Sequence, residues 1–226
     1  MLESAVGGIR RPDYRSLCRS FECVRVFDDF GWAYRLAFMN AVGKPDGARV
    51  FFALSPGERC RRSLFAVAND FAARLGGRPM PKETQHLTLV FVGEVGLDRL
   101  SELLAAAGEV AQATAGGSIV LDRLHYHPAG KMLWATSEHC PAQLGALADG
   151  LRRNLLARGY VLEPRPFFAH VTLLRRLTLW PQASDLDALR NSPIRWRYRD
   201  FVLLRSRPGP CGSVYEPMGS WDLGGN

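Results

Sequence analysis

The chain has 226 residues, 47% of them hydrophobic and 23% charged, an ordinary soluble composition with room for one sizeable core or two small lobes. It contains no apolar run near the ~18 residues of a membrane span, and its N-terminus lacks the basic, apolar and small-residue order of a secretory signal. Five scattered cysteines without a CxxC exclude a disulfide frame and point to reduced thiols in the cytoplasm, and a net charge of +7 suits an anionic partner such as nucleic acid.

Residues 1–48 stand apart. Gly7-Gly8, Arg10-Arg11-Pro12 and the cluster from Gly43 to Gly47 interrupt any period. Seven basic and six acidic residues nearly cancel there, so the positive excess belongs to the remainder. The segment is expected to be a poorly structured or loosely packed extension, although it holds Phe27, Phe30, Trp32, Tyr34 and Phe38.

From Arg49 the pattern becomes regular. Residues 49–54 read as a strand. Ser55 as N-cap and Pro56 in the first turn predict a helix with Leu64, Val67, Phe71 and Leu75 on one face, stopped by Gly76-Gly77. A strand closed by Gly93 follows, then a helix over 97–113 with Leu100, Leu103, Leu104, Ala107 and Val110 on its apolar side. Strands are predicted over 118–126 and 131–136 around a turn at Pro128-Ala129-Gly130. Pro141 opens a helix that places Leu144, Leu147, Leu151 and Leu155 on one face and ends at Gly159. A strand near His170, a short helix over 185–190 and strands over 197–206 and 213–221 complete the chain.

Two of these strands carry the same polar pair. Gln85-His86-Leu87-Thr88-Leu89-Val90-Phe91-Val92 and Phe168-Ala169-His170-Val171-Thr172-Leu173-Leu174 both contain His-x-Thr-Leu, 84 residues apart. Strand alternation puts His86 with Thr88 on one face, and His170 with Thr172 likewise. A single buried histidine satisfied by a neighbour needs no function, but two copies in matching contexts do. The order strand, helix, motif strand also occurs twice, Phe51 to Leu133 spanning 82 residues. One unit used twice gives two similar lobes, and a pseudo-two-fold between them would set the two imidazoles facing each other across a cleft.

Two imidazoles on opposite sides of a phosphorus suit in-line displacement, one activating the nucleophile and the other protonating the leaving oxygen. Threonine hydroxyls are short donors that hold non-bridging phosphate oxygens. The chain supplies both groups twice.

These motifs resemble the two-histidine (2H) phosphoesterases, and within them the RNA 2′,3′-cyclic phosphodiesterases first called 2′-5′ RNA ligases. Matching stretches are Arg49 to Leu54, His86 to Leu89 with Phe91-Val92-Gly93-Glu94, and Arg165-Pro166-Phe167 leading into His170 to Arg175. Tyr215, Pro217 and Trp221 resemble the closing strand. The resemblance covers about residues 49–223. It implies a bilobal α+β fold built from a duplicated strand–helix–strand unit, with antiparallel-rich sheets lining a central, positively charged cleft and helices outside. It also implies hydrolysis of an RNA or nucleotide 2′,3′-cyclic phosphate to a 2′-phosphomonoester, with no metal and no other cofactor. It makes His86 the proton donor, His170 the proton acceptor, and Thr88, Thr172 and Arg175 substrate-binding residues. Strict strand parity instead puts Arg176 on the face of His170. Phe168-Ala169 departs from the more usual His-Pro. A monomer without membrane attachment is expected. A non-catalytic RNA- or nucleotide-binding module on the same scaffold, and 2′-5′ RNA ligation, are the alternatives.

His125 and His127 share a strand face and could ligate zinc, but no third ligand stands at a recognisable spacing, so they read as cleft-edge residues. Arg61-Arg62 and Arg152-Arg153-Arg158 read as solvated helix faces. Arg195, Arg197 and Arg199 alternate with Trp196 and Tyr198 and could track an RNA backbone.

Overall fold

The computed structural model describes residues 47–209 and 212–224. The expected extension lies outside the described residues except for Gly47 and Ala48, which already belong to the first strand. In chain order the elements are β1 (Gly47–Leu54), α1 (Glu58–Leu75), β2 (Arg78–Pro79), β3 (Leu87–Gly96), α2 (Leu100–Gln112), β4 (Gly117–Leu121), β5 (Arg123–His127), β6 (Met132–Thr136), α3 (Ala142–Ala157), β7 (His170–Arg175), α4 (Ala183–Leu186), β8 (Ile194–Tyr198), β9 (Asp200–Gly209) and β10 (Gly212–Asp222).

One antiparallel sheet runs β10-β9-β1-β3-β7-β6-β5, with β2 pairing on β7, and β4 pairs with β8 in a separate two-stranded sheet. The duplicated unit is visible in it: β1-α1-β3 and β6-α3-β7 each place their two strands side by side. The halves meet at a single bridge, Leu87 opposite Val171. These residues are 84 apart, as the two histidines are, and an antiparallel bridge between equivalent residues is what a local two-fold axis requires.

Leu87 and Val171 are fully buried and share one core with Leu64 and Phe71 of α1, Leu103 and Val110 of α2, and Leu144, Leu147, Leu151 and Leu155 of α3. The helices thus cover one face of the main sheet. A smaller cluster of Phe51, Ala53 and Leu204, joined by Phe91, Val202 and Tyr215, forms on the other. No helix among the described residues is long and apolar enough to cross a membrane.

Five expectations need correction. Helix α1 begins at Glu58, with extended Gly57 as its cap and no side-chain capping bond, because the chain needs Ser55 and Pro56 to turn out of β1. The strand expected over 118–126 breaks at Asp122, and the one expected over 197–206 breaks at Arg199; at both points the chain leaves the β4–β8 pair for the main sheet. The short helix is displaced to Ala183–Leu186, where Gln182 and Asp185 form a reciprocal capping box. The first-strand repeat is 81 rather than 82 residues, since Ala53 faces Thr88 and Trp134 faces Thr172.

Candidate active site

His86 immediately precedes β3 and His170 opens β7. The residue after each, Leu87 or Val171, points into the core, so alternation turns His86, Thr88, His170 and Thr172 to the helix-free face. All four are half-buried. The antiparallel register around the Leu87–Val171 bridge brings the two motifs past each other in opposite directions.

Each imidazole is held the same way. Nδ1–H of His86 donates to the Thr84 carbonyl at 2.7 Å, and Nδ1–H of His170 to the Phe168 carbonyl at 2.8 Å. A carbonyl only accepts, so the hydrogen resides on Nδ1 and the neutral ring carries its lone pair on Nε2.

The motif strands also share a β-bulge. In β3, Phe52 faces Val90 and the next residue, Ala53, faces Thr88, leaving Leu89 as the extra residue. In β7, Leu133 faces Leu174 and Trp134 faces Thr172, leaving Leu173 as the extra residue. Leu89 with Val90, and Leu173 with Leu174, consequently both point into the core. Parity is reset beyond the bulge, and Arg175 rather than Arg176 rejoins the face of His170 and Thr172. Arg176 lies past the end of β7 in a left-handed conformation, φ 57°. Phe91 occupies the position equivalent to Arg175 in the first half.

The surroundings of the two histidines differ. His86 packs on Phe51 (4.9 Å between ring centroids) and edge-on against Tyr215 (5.0 Å). His170 lies against Trp134 at 4.2 Å and Phe168 at 5.8 Å. Trp134 also stacks on His127 at 4.6 Å and on His125 at 5.5 Å. Burial pulls the His170 pKa down to about 4; positive charge on His86, His127 and Arg165 acts the same way, and the bond to the Phe168 carbonyl opposes it. Burial, then the charges on His125 and Arg165, also lower that of His127.

Among the described residues, no group of three or more His, Cys, Asp or Glu could hold a metal ion, and His125 and His127 instead take part in the ring cluster. Arg195, Arg197 and Arg199 are exposed and Trp196 and Tyr198 buried, as alternation predicts, but Arg195 and Arg197 lie on β8, outside the main sheet. The ring contacts around Trp134 escaped the sequence reading. Its place beside His170 depends on a cross-strand register that no local pattern announces.

The family model for LigT-like phosphoesterases matches residues 54–134, which include the first motif. The RNA 2′,3′-cyclic phosphodiesterase of Escherichia coli K12 is 30% identical over 178 residues, covering 77% of this chain and 96% of that protein. That of Thermus thermophilus is 29% identical over 185 residues, 78% of this chain and 91% of that protein. The crystal structure of E. coli LigT complexed with 3′-AMP superposes with a TM-score of 0.69 at 25% identity, covering 79% of this chain and 99% of that one. The agreement of sequence, topology and paired motifs places this chain in the LigT-like family of two-histidine phosphoesterases.

Proposed function

We propose that this chain opens RNA 2′,3′-cyclic phosphate ends to 2′-phosphomonoesters without a metal ion. His86, as an imidazolium protonated on Nε2, donates that proton to the leaving oxygen, and His170, as a neutral imidazole, accepts one from the attacking water. Thr88 and Thr172 hold the non-bridging oxygens, and Arg175 adds a fixed positive charge. The observation that carries this reading is the duplicated arrangement of the histidines. Each has Nδ1 tied to a carbonyl, so that Nε2 is the nitrogen that exchanges the proton, and its threonine on the same face. Two such groups supply the base and the acid of an in-line displacement.

The lowered proton affinity of His170 supports its role as acceptor, since it starts neutral at physiological pH. Curated relatives across most of the chain are RNA 2′,3′-cyclic phosphodiesterases, and LigT has been crystallised with 3′-AMP, which supports a nucleotide substrate.

The test is turnover of adenosine 2′,3′-cyclic phosphate in excess EDTA. The unaltered chain should turn it over, and His86→Ala and His170→Ala should each reduce turnover by about 10²–10⁴. Saturable binding without product means a binding module. Loss of activity on chelation, restored by one divalent ion, means a metal mechanism.

A further inference from the structure

The two-fold repeat accounts for His86 and His170, Thr88 and Thr172, and both bulges, but not for the aromatic surface beside His170. Thr84 is the counterpart of Phe168 and Ala53 that of Trp134, so neither ring is repeated in the first half, where His86 meets Phe51 and Tyr215 instead. Phe168 is 48% exposed although it is large and apolar. It meets His125 at 5.8 Å with the rings 66° apart, and Trp134 at 6.0 Å. Trp134 is 7% exposed and forms the base of the cluster, while Phe168 and exposed His125 form its rim. The result is a corner of one aromatic face and one imidazole, reaching from His170 to the edge strand β5. Trp134 contacts both rims.

An exposed aromatic ring costs hydration and gains nothing in the core. Next to a phosphate site it offers what a nucleobase needs: a flat apolar face with a polar ring at its side. Stacking tolerates any base, because every base presents a π face, and it favours the larger purines. Phe168 is two residues from His170, so a base on its ring lies within one nucleoside of a phosphate at the histidines.

We propose that Phe168 and His125 form the subsite for the base of the nucleotide that carries the reacting phosphate, with Trp134 as their support. This deepens the hydrolase reading and rests on it for the position of the phosphate.

The test pairs a base-bearing ligand with base-free ones, in binding and in turnover. Binding of 2′-AMP and of inorganic phosphate is measured by titration calorimetry for the unaltered chain, Phe168→Ala and Phe168→Trp. Phe168→Ala should weaken 2′-AMP about ten- to a hundredfold and leave phosphate unchanged, and Phe168→Trp should keep or improve the nucleotide. Unaltered 2′-AMP affinity in Phe168→Ala overturns the subsite, as does equal loss for both ligands. Turnover is compared on adenosine 2′,3′-cyclic phosphate and on glycerol 1,2-cyclic phosphate, which keeps the five-membered ring and lacks the base. A rise in KM confined to the adenosine substrate supports the subsite. If the unaltered chain turns over neither substrate but Phe168→Ala still weakens 2′-AMP selectively, the hydrolase reading fails and the base subsite stands.

Discussion

His170 shows how burial adjusts the group proposed as the base. Its ring lies against Trp134, and burial there lowers its pKa to about 4. In the unfolded chain the same imidazole titrates near ~6.5. Between those values the unfolded state binds the proton and the folded state does not, so stability rises with pH across that window. The contribution is complete above the unfolded value and is lost as pH falls through the folded one. Replacing His170 with Asn removes that titration. Denaturant midpoints measured from pH 7 down to 4.5 should fall less steeply in His170→Asn than in the unaltered chain, and parallel curves would mean that the ring is not desolvated in solution. On the proposed mechanism the same group sets the acid limb of kcat/KM, which should lie well below the ordinary histidine range. The His-x-Thr spacing made it legible from sequence that His86 shares a face with Thr88 and His170 with Thr172. The contact with Trp134 was not legible, because it is made across strands.

At the scale of the strand, alternation is a rule about uninterrupted ladders, and β7 is interrupted. Sequence parity assigned the site face to Arg176, whereas the bulge at Leu173 hands it to Arg175. The extra residue leaves a trace in the sequence, two consecutive leucines that are both fully buried, but Leu-Leu alone does not announce a bulge. The breaks at Asp122 and Arg199 escaped for a related reason: the hydrophobic alternation runs on while the strand changes partner. Helix α3 was legible in full, since its leucines, its proline start and its glycine end all agree. The arginine assignment can be checked directly. Arg175→Ala should lower kcat/KM by about ten- to a hundredfold, the loss expected for a charge-assisted phosphate contact. Arg176→Gly, at a backbone conformation that glycine adopts freely, should leave kcat/KM within about twofold. The reverse ranking in steady-state kinetics would return the site face to Arg176.

Over the whole molecule, the repeat supplies symmetric chemistry to an asymmetric substrate. A 2′,3′-cyclic phosphate can open at either ribose oxygen, and either histidine could in principle act as base. The pseudo-two-fold through Leu87 and Val171 leaves that choice open, so it has to come from residues that break the repeat. Arg175 faces the site where the first half has Phe91, and Trp134 lies against the second histidine where the first half has Ala53. Both differences mark the half containing His170: one adds fixed positive charge, and the other packs against an imidazole whose proton affinity burial lowers. On the proposed mechanism the neutral imidazole of His170 accepts a proton from water, so water approaches from the His170 side and the departing oxygen faces His86. In-line geometry then breaks the bond on the His86 side. With the base held beside His170, the 2′-oxygen, on the carbon next to the glycosidic carbon, remains on phosphorus and the 3′-oxygen departs. Phosphorus NMR of the product from adenosine 2′,3′-cyclic phosphate should therefore show the 2′-monophosphate. A predominantly 3′-monophosphate product would mean that the substrate lies reversed between the halves and that His86 and His170 exchange roles.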